Sequence, residues 1–174
     1  MIAYDFVSPT SKSLDELQTE VIVLPFFSDE RPLRGAAGLV DWRLCGALSR
    51  KVMAGYLDGR FGEKAFVAAP EKLKAEALLL FGLGQSTAFD RVVAEKASTA
   101  IAQALRDAEL STAAIALPGR SMDLLPALRA MQLWLATSPG EALEEVTIVE
   151  PAEEHRALES LVDGLRRQAE SPLD

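Results

Sequence analysis

The chain of 174 residues is 49% hydrophobic and 25% charged, which is ordinary for one soluble domain with a substantial core. Its net charge of −8 argues against nucleic acid as a partner, because an acidic surface repels phosphate groups. The sequence shows neither a membrane-spanning run nor a secretory signal, and its one cysteine cannot form an internal disulfide, so we expect a cytoplasmic protein with no membrane partner.

The first half of the chain predicts two strands and a long helix. Residues 4–7 and 21–26 are typical of strands, and the second is continuously apolar, as expected for a strand covered on both faces. Residues 13–16 predict a short helical turn between them. Residues 38–57 predict a helix, because apolar side chains recur every four residues, at Val40, Leu44, Leu48 and Val52. Cys45 widens this apolar stripe, so we expect its side chain to be buried.

The second half alternates strands with helices. Asp123 is predicted to cap the helix over 124–136, and Thr87 with Asp90 has the spacing of a capping box before the helix over 89–107. The predicted strands are 64–69, 77–83, 113–117 and 146–149; a last helix follows Pro151, and 168–174 is a polar tail. This alternation indicates a largely parallel sheet with helices on both faces, in a single domain over residues 1–174.

Three segments of the sequence occur in the order found in a known family. They are Val21-Ile-Val-Leu-Pro-Phe26, Leu33-Arg-Gly-Ala-Ala-Gly-Leu-Val-Asp-Trp-Arg-Leu44 and Leu78-Leu-Leu-Phe-Gly-Leu-Gly84. Over most of its length, residues 3–150, the chain resembles the N-terminal domain of the M17 leucyl aminopeptidases. The resemblance implies an α/β macro-like fold of three layers, with a mostly parallel mixed sheet of about six strands and helices on both faces.

The same resemblance bears on catalysis and on partners. In that family the metal ions and catalytic residues belong to a second, C-terminal domain, in motifs of the type Asn-Thr-Asp-Ala-Glu-Gly-Arg. No such segment occurs here, so we expect a stand-alone domain with no catalytic residue, no metal and no cofactor. The family's N-terminal domain packs on the catalytic domain and contributes to hexamer assembly, which implies a protein partner or self-association. Some members bind DNA through this domain, and the net charge of −8 disfavours that here.

Two glycine turns are the candidate ligand-binding residues. One comprises Gly82, Gly84, Gln85 and Ser86, between a predicted strand and a predicted helix, and the other comprises Gly35 and Gly38. Backbone N–H groups at such turns can hold a small anion, or the glycines can simply permit the backbone geometry. Macro domains that bind ADP-ribose usually carry an Asn-Ala-Ala-Asn type segment. The corresponding region here is Arg34-Gly-Ala-Ala-Gly38, without the asparagines.

The remaining reactive and aromatic residues favour structural roles. His155 is the only histidine, in the first turn of the last predicted helix, and we expect it to be half-buried or at the surface. Trp42 and Trp134 have the helical spacing of core or interface residues. Three functional hypotheses remain: protein contacts or oligomerisation without catalysis, binding of a nucleotide or ADP-ribose-like ligand, and aminopeptidase-related activity inferred by homology alone.

Overall fold

The computed structural model describes residues 2–137 and 142–170. Among them, one mixed sheet has the strand order β1-β6-β5-β2-β4-β3. All neighbouring strands are parallel except β3 and β4, which are antiparallel. The strands are β1 (Ala3–Val7), β2 (Val21–Phe26), β3 (Lys64–Ala68), β4 (Ala77–Gly82), β5 (Thr112–Ile115) and β6 (Glu145–Val149). The predicted α/β fold with a mostly parallel sheet of about six strands is confirmed.

Helices cover both faces of this sheet. They are α1 (Ser11–Glu16), α2 (Gly35–Arg43), α3 (Ala47–Met53), α4 (Arg91–Asp107), α5 (Ala127–Leu135) and α6 (Ala152–Glu170), with a short 3₁₀ helix at Ser86–Ala88. The side chains of β2 alternate between two separate cores. Val21 and Val23 pack with α4, α5 and α6, whereas Ile22 and Leu24 pack with α1, α2 and α3. Every residue of β2 is buried, as its continuous apolar run predicts.

The helix predicted over 38–57 is wrong as one continuous element. It is divided between α2 and α3 because Cys45 and Gly46 have positive φ angles of 54° and 78°. Asp41 stabilises the break, since its carboxylate accepts hydrogen bonds from the N–H groups of Leu48 at 2.8 Å and Ser49 at 3.0 Å. The predicted apolar stripe at residues 40, 44, 48 and 52 is nevertheless buried.

The change of direction at the α2–α3 junction decides the exposure of two predicted residues. Cys45 is exposed, so the prediction of a buried cysteine is wrong. Trp42 is also exposed, which removes core packing and leaves the interface interpretation. Trp134 of α5, by contrast, is fully buried and belongs to the core beneath α4, α5 and α6.

Several strand and helix ends differ from the prediction by one or two residues, and the largest differences concern the helices. Asp123 has a positive φ of 54° and lies before the helix, which begins at Ala127 after Pro126. Asp90 itself caps α4 by accepting from the N–H of Val93 at 2.9 Å, so the predicted capping box with Thr87 is wrong. The polar tail was predicted from residue 168, but α6 continues to residue 170; residues 171–174 lie outside the described part. Within the described ranges, no helix is both long and apolar enough to span a membrane.

Candidate functional site

The predicted turn at Gly82–Ser86 is held by hydrogen bonds within the protein. β4 ends at Gly82, and Gly84 has a positive φ of 77°. The N–H groups of Gly82, Leu83 and Gly84 donate to the carbonyl oxygens of Glu63 at 2.8 Å, Phe26 at 2.9 Å and Gly59 at 2.8 Å. The chain then enters the 3₁₀ helix, and α4 begins only at Arg91. These donors are therefore engaged before any ligand approaches.

Asp29 supplies the anionic group at this turn. Its carboxylate accepts from the N–H of Ser86 at 2.8 Å and from the Ser86 hydroxyl at 2.5 Å. The hydrogen bond from the Ser86 hydroxyl, followed by the one from its N–H, lowers the pKa of the Asp29 carboxyl. Gln85 lies in the same turn, immediately before the 3₁₀ helix.

Glu30 accepts hydrogen bonds at the second turn, as Asp29 does at the first. Its Oε1 accepts from the N–H of Arg34 at 2.8 Å, and its Oε2 accepts from the N–H of Phe27 at 3.0 Å and from the hydroxyl of Ser121 at 3.2 Å. Burial raises the pKa of the Glu30 carboxyl, while the hydrogen bonds from Phe27 and Arg34 oppose this effect. The loop between β2 and α2 is thus fixed by a buried carboxylate.

Two consecutive acidic residues, Asp29 and Glu30, therefore form hydrogen bonds with the two predicted glycine turns. Asp29 contacts the turn at Gly82–Ser86, and Glu30 contacts the start of α2, where Gly35 has a positive φ of 57°. Gly38 allows the first turn of α2 to pack closely against the backbone of Leu33, because a Cβ at position 38 would lie 2.5 Å from the carbonyl oxygen of Leu33. Both turns have structural partners, and ligand binding by Gly35, Gly38, Gly82, Gly84, Gln85 and Ser86 stays a prediction.

A small cavity of about 160 Å³ lies beside the start of α2, at the carboxyl ends of β1, β2, β5 and β6. Its lining includes Gly35, Ala36, Arg120, Ser121 and Glu150. This edge of a parallel sheet is where ligands of open α/β folds commonly bind.

An ion pair occupies the polar side of this cavity. Arg120 donates to both carboxylate oxygens of Glu150, at 2.9 and 3.2 Å. It also donates to Asp123 at 2.7 Å and to the carbonyl oxygen of Leu125 at 2.8 Å. Burial raises the pKa of Glu150, and its hydrogen bond with Arg120 opposes this effect. Arg120 is therefore largely committed to protein acceptors.

Sequence reasoning did not select Asp29, Glu30, Arg120 or Glu150. A usable signal existed for three of them. Asp29 and Glu30 follow the buried strand β2, and Glu150 directly follows β6, so all three lie at the carboxyl edge of the sheet. His155 is half-buried, as expected, and its Nε2 lies 2.6 Å from the carbonyl oxygen of Glu150. The described residues contain no group of three or more His, Cys, Asp or Glu side chains that could hold a metal ion.

A second region of interest is the outer side of α2 and α3. We define the α2–α3 surface by Trp42, Arg50, Lys51, Met53 and Tyr56. Its three large apolar side chains are strongly exposed: Trp42 by 72%, Met53 by 83% and Tyr56 by 78%.

Two grooves adjoin on this surface. Trp42 lines an open groove of about 600 Å³ together with Cys45 and Lys72, and Tyr56 lines a neighbouring one with Arg50 and Lys51. The Nη1 of Arg50 donates to the carbonyl oxygen of Cys45 at 2.6 Å, which connects the two grooves. Trp42 and Tyr56 therefore line two grooves that are joined through Arg50 and Cys45.

Comparison with known proteins decides the family. Residues 23–133 match the sequence model of the cytosol aminopeptidase family, N-terminal domain. The chain belongs to the cytosol aminopeptidase family. Probable cytosol aminopeptidases of Burkholderia orbicola and Burkholderia multivorans are each 36% identical to it over 88 residues. That segment is 51% of this chain but only 17% of the length of those cytosol aminopeptidases, so the match concerns their N-terminal domain alone.

Solved structures confirm the fold of this cytosol aminopeptidase domain. A tomato leucine aminopeptidase mutant superimposes with a TM-score of 0.62 at 17% identity, covering 91% of this chain and 35% of that one. A Trypanosoma brucei macrodomain in complex with ADP-ribose gives 0.71 at 18% identity, covering 92% and 68%. A macrodomain mutant from Oceanobacillus iheyensis gives 0.68 at 12% identity, covering 89% of both chains. The macro-like fold predicted from the sequence is confirmed.

Proposed function

We propose that this domain acts through contact with another protein and carries out no catalysis of its own. The observation that supports this function best is the exposure of Trp42, Met53 and Tyr56 on the α2–α3 surface. Tryptophan, tyrosine and methionine are enriched where proteins meet, and these three are the most exposed large apolar side chains of the described residues. In the cytosol aminopeptidases the N-terminal domain packs on the catalytic domain, and the resemblance of this chain to that domain also favours a contact with another protein.

The contact is tested by site-specific cross-linking in the source cells. A photoreactive phenylalanine analogue at position 56 should give a discrete cross-linked product with a protein. Trp42→Ser should abolish that product, because the indole supplies much of the apolar contact area. The matched control is Val92→Ser, which removes an exposed apolar side chain from α4 on the opposite face of the sheet. A product that is insensitive to Trp42→Ser, or no product at all, would overturn the proposal.

A second candidate function is binding of a small anionic ligand of the nucleotide or ADP-ribose type. It is favoured by the cavity at the carboxyl ends of the strands and by the fold shared with a macrodomain in complex with ADP-ribose. The cavity is small, since ligand pockets usually measure about 300–1,000 Å³, and the Glu150 carboxylate lines it. Isothermal titration calorimetry with ADP-ribose separates the two candidates. Saturable heat that is lost in Gly35→Val would favour ligand binding.

A further inference from the structure

The charge of the α2–α3 region differs in sign from that of the protein. Between residues 31 and 56 the sequence has five basic residues and a single acidic one, Asp41, whereas the whole chain carries a net charge of −8. Asp41 is among the residues that line the groove beside Trp42, but its side chain is buried and its carboxylate accepts from the N–H groups of Leu48 and Ser49. A basic region therefore lies on an acidic protein.

Several cations in and beside this region form no ion pair within the described residues. Arg43 is paired with Asp15 at 2.7 Å. Arg50, Lys51 and Lys72 are exposed and form no ion pair with any residue in the described ranges. They line the same two grooves as Trp42 and Tyr56. The surface thus presents unpaired positive charge next to exposed aromatic side chains.

This charge distribution discriminates between possible occupants. In a symmetric dimer the same patch meets itself, so two α2–α3 surfaces would bring like charges together. Like-charge contact across an interface is unfavourable. A partner with acidic side chains beside apolar ones would instead satisfy both the cations and the exposed aromatics. Charge complementarity therefore favours a different protein over a second copy of this chain.

We propose that the α2–α3 surface binds an acidic amphipathic segment of a different protein, with apolar side chains over Trp42 and Tyr56 and carboxylates facing Arg50, Lys51 and Lys72. This inference rests on the proposed function and names the chemistry of the partner. The same arrangement predicts that association is faster and tighter at low ionic strength, because the cations are exposed to screening by salt.

The test uses the full chain and three fluorescent helical peptides in an anisotropy titration. The first peptide has glutamates on its polar face and leucine with tryptophan on its apolar face. The second replaces the glutamates by lysines, and the third replaces the apolar residues by serines. We expect binding of the first peptide alone, weakened by added salt. Equal binding of the lysine peptide or the serine peptide would overturn the inference.

Charge reversal in the protein provides the matched comparison. Arg50→Glu/Lys51→Glu should weaken binding of the acidic peptide by about tenfold or more, since the contact changes from attraction to repulsion. Lys64→Glu/Lys96→Glu makes the same change of charge at exposed positions on β3 and α4 and should leave binding within about twofold. Lys51→Glu alone provides a second test if the double variant misfolds, because the Lys51 side chain forms no hydrogen bond in the described structure. An unchanged affinity in both Arg50→Glu/Lys51→Glu and Lys51→Glu, or an equal loss in Lys64→Glu/Lys96→Glu, would overturn the inference.

The outcomes separate this inference from the proposed function. If the cellular cross-link at position 56 depends on Trp42 but is unaffected by Arg50→Glu/Lys51→Glu, the acidic partner is wrong while the protein contact stands. If the cross-link does not depend on Trp42, the proposed function fails with it. If the captured protein is a second copy of this chain, confirmed by light scattering, the assignment to a different protein is overturned.

Discussion

Gly82, at the end of β4, lies against the backbone of the loop before β3. A Cβ at this position would lie 2.1 Å from the carbonyl oxygen of Arg60 and 2.7 Å from the carbonyl carbon of Gly59. Both atoms belong to the backbone, so a side-chain rotation cannot relieve the overlap. Its φ is not in the left-handed region, so space and not backbone conformation requires glycine at this position.

Gly82→Ala should therefore reduce the free energy of unfolding by about 1–3 kcal/mol, the usual effect of overpacking. Urea denaturation followed by circular dichroism measures the change. Gly164→Ala is the matched control, because its Cβ would meet nothing within 4 Å on α6. There the substitution should stabilise the protein by roughly 0.5–1 kcal/mol, as alanine replaces glycine within a helix. Equal stability of the two variants would contradict this explanation.

Asp29 links two loops that are far apart in the sequence. The hydrogen bonds from Ser86 lower the pKa of Asp29, so the ionised carboxylate is more favourable in the folded state than in the unfolded chain. The corresponding stability is fully present above the unfolded pKa of 3.8 and is lost as the pH falls through the folded pKa.

Asp29→Asn should consequently lower the melting temperature at neutral pH, and the difference from wild type should shrink in acid. Thermal unfolding at a series of pH values measures it. Glu71→Gln removes an exposed negative charge without a hydrogen bond in the described structure and should show no such pH dependence. A constant difference between Asp29→Asn and wild type at every pH would mean that the carboxylate charge is irrelevant.

At the scale of the elements, the central strands β2 and β4 were predictable because burial on both faces gives an uninterrupted apolar run. Residues 21–26 illustrate this, since all six are buried and β2 lies between β5 and β4. The broken helix was not predictable from periodicity, because residues 40, 44, 48 and 52 remain buried on both sides of the break. The break depends on positive φ at Cys45 and Gly46, and a cysteine seldom adopts that conformation.

The candidate site was less accessible to sequence reasoning than the fold. The glycine turns were visible as local patterns, but their partners are distant: Asp29 reaches Ser86 57 positions away, and Glu30 reaches Ser121 91 positions away. Tertiary contacts of this kind leave no periodic signal in one sequence. The exposed α2–α3 surface was not predictable for the same reason, because an apolar stripe on a helix does not show which neighbouring side chains remain exposed to solvent.

The junction between α2 and α3 can be probed through Cys45, the only cysteine of the chain. Because it is exposed, a maleimide should label it stoichiometrically in the native protein at neutral pH, without denaturant. Intact-mass spectrometry measures the extent of labelling, and Cys45→Ser is the control for reaction at other groups. Protection of the thiol until denaturant is added would mean that the helix is continuous and the cysteine buried, as the sequence alone predicts.

At the scale of the whole molecule, two regions of different character are carried by one sheet. The carboxyl edge of the sheet is internally satisfied, since Asp29, Glu30, Arg120 and Glu150 are bonded to other protein groups. The α2–α3 surface has exposed aromatic side chains and unpaired cations. The region that resembles a ligand site by position therefore keeps only a small cavity whose polar side chains bond to one another, while the surface with unpaired cations faces outward. This contrast favours protein contact over small-ligand binding.

The purified chain should show no metal-dependent aminopeptidase activity. Its sequence has no segment of the Asn-Thr-Asp-Ala-Glu-Gly-Arg type, and its one histidine, His155, lies against a backbone carbonyl. Release of leucine from a leucyl peptide, measured with added zinc or manganese and with a chelator, tests this, with a whole cytosol aminopeptidase assayed in parallel. Chelator-sensitive release that follows the chain through purification, scales with its concentration and persists after a second affinity step would show that the residues of this domain perform the reaction. We expect leucine release to stay at the background rate with metal, with chelator and in Trp42→Ser. That result would agree with a domain whose exposed indole contacts a protein and no substrate.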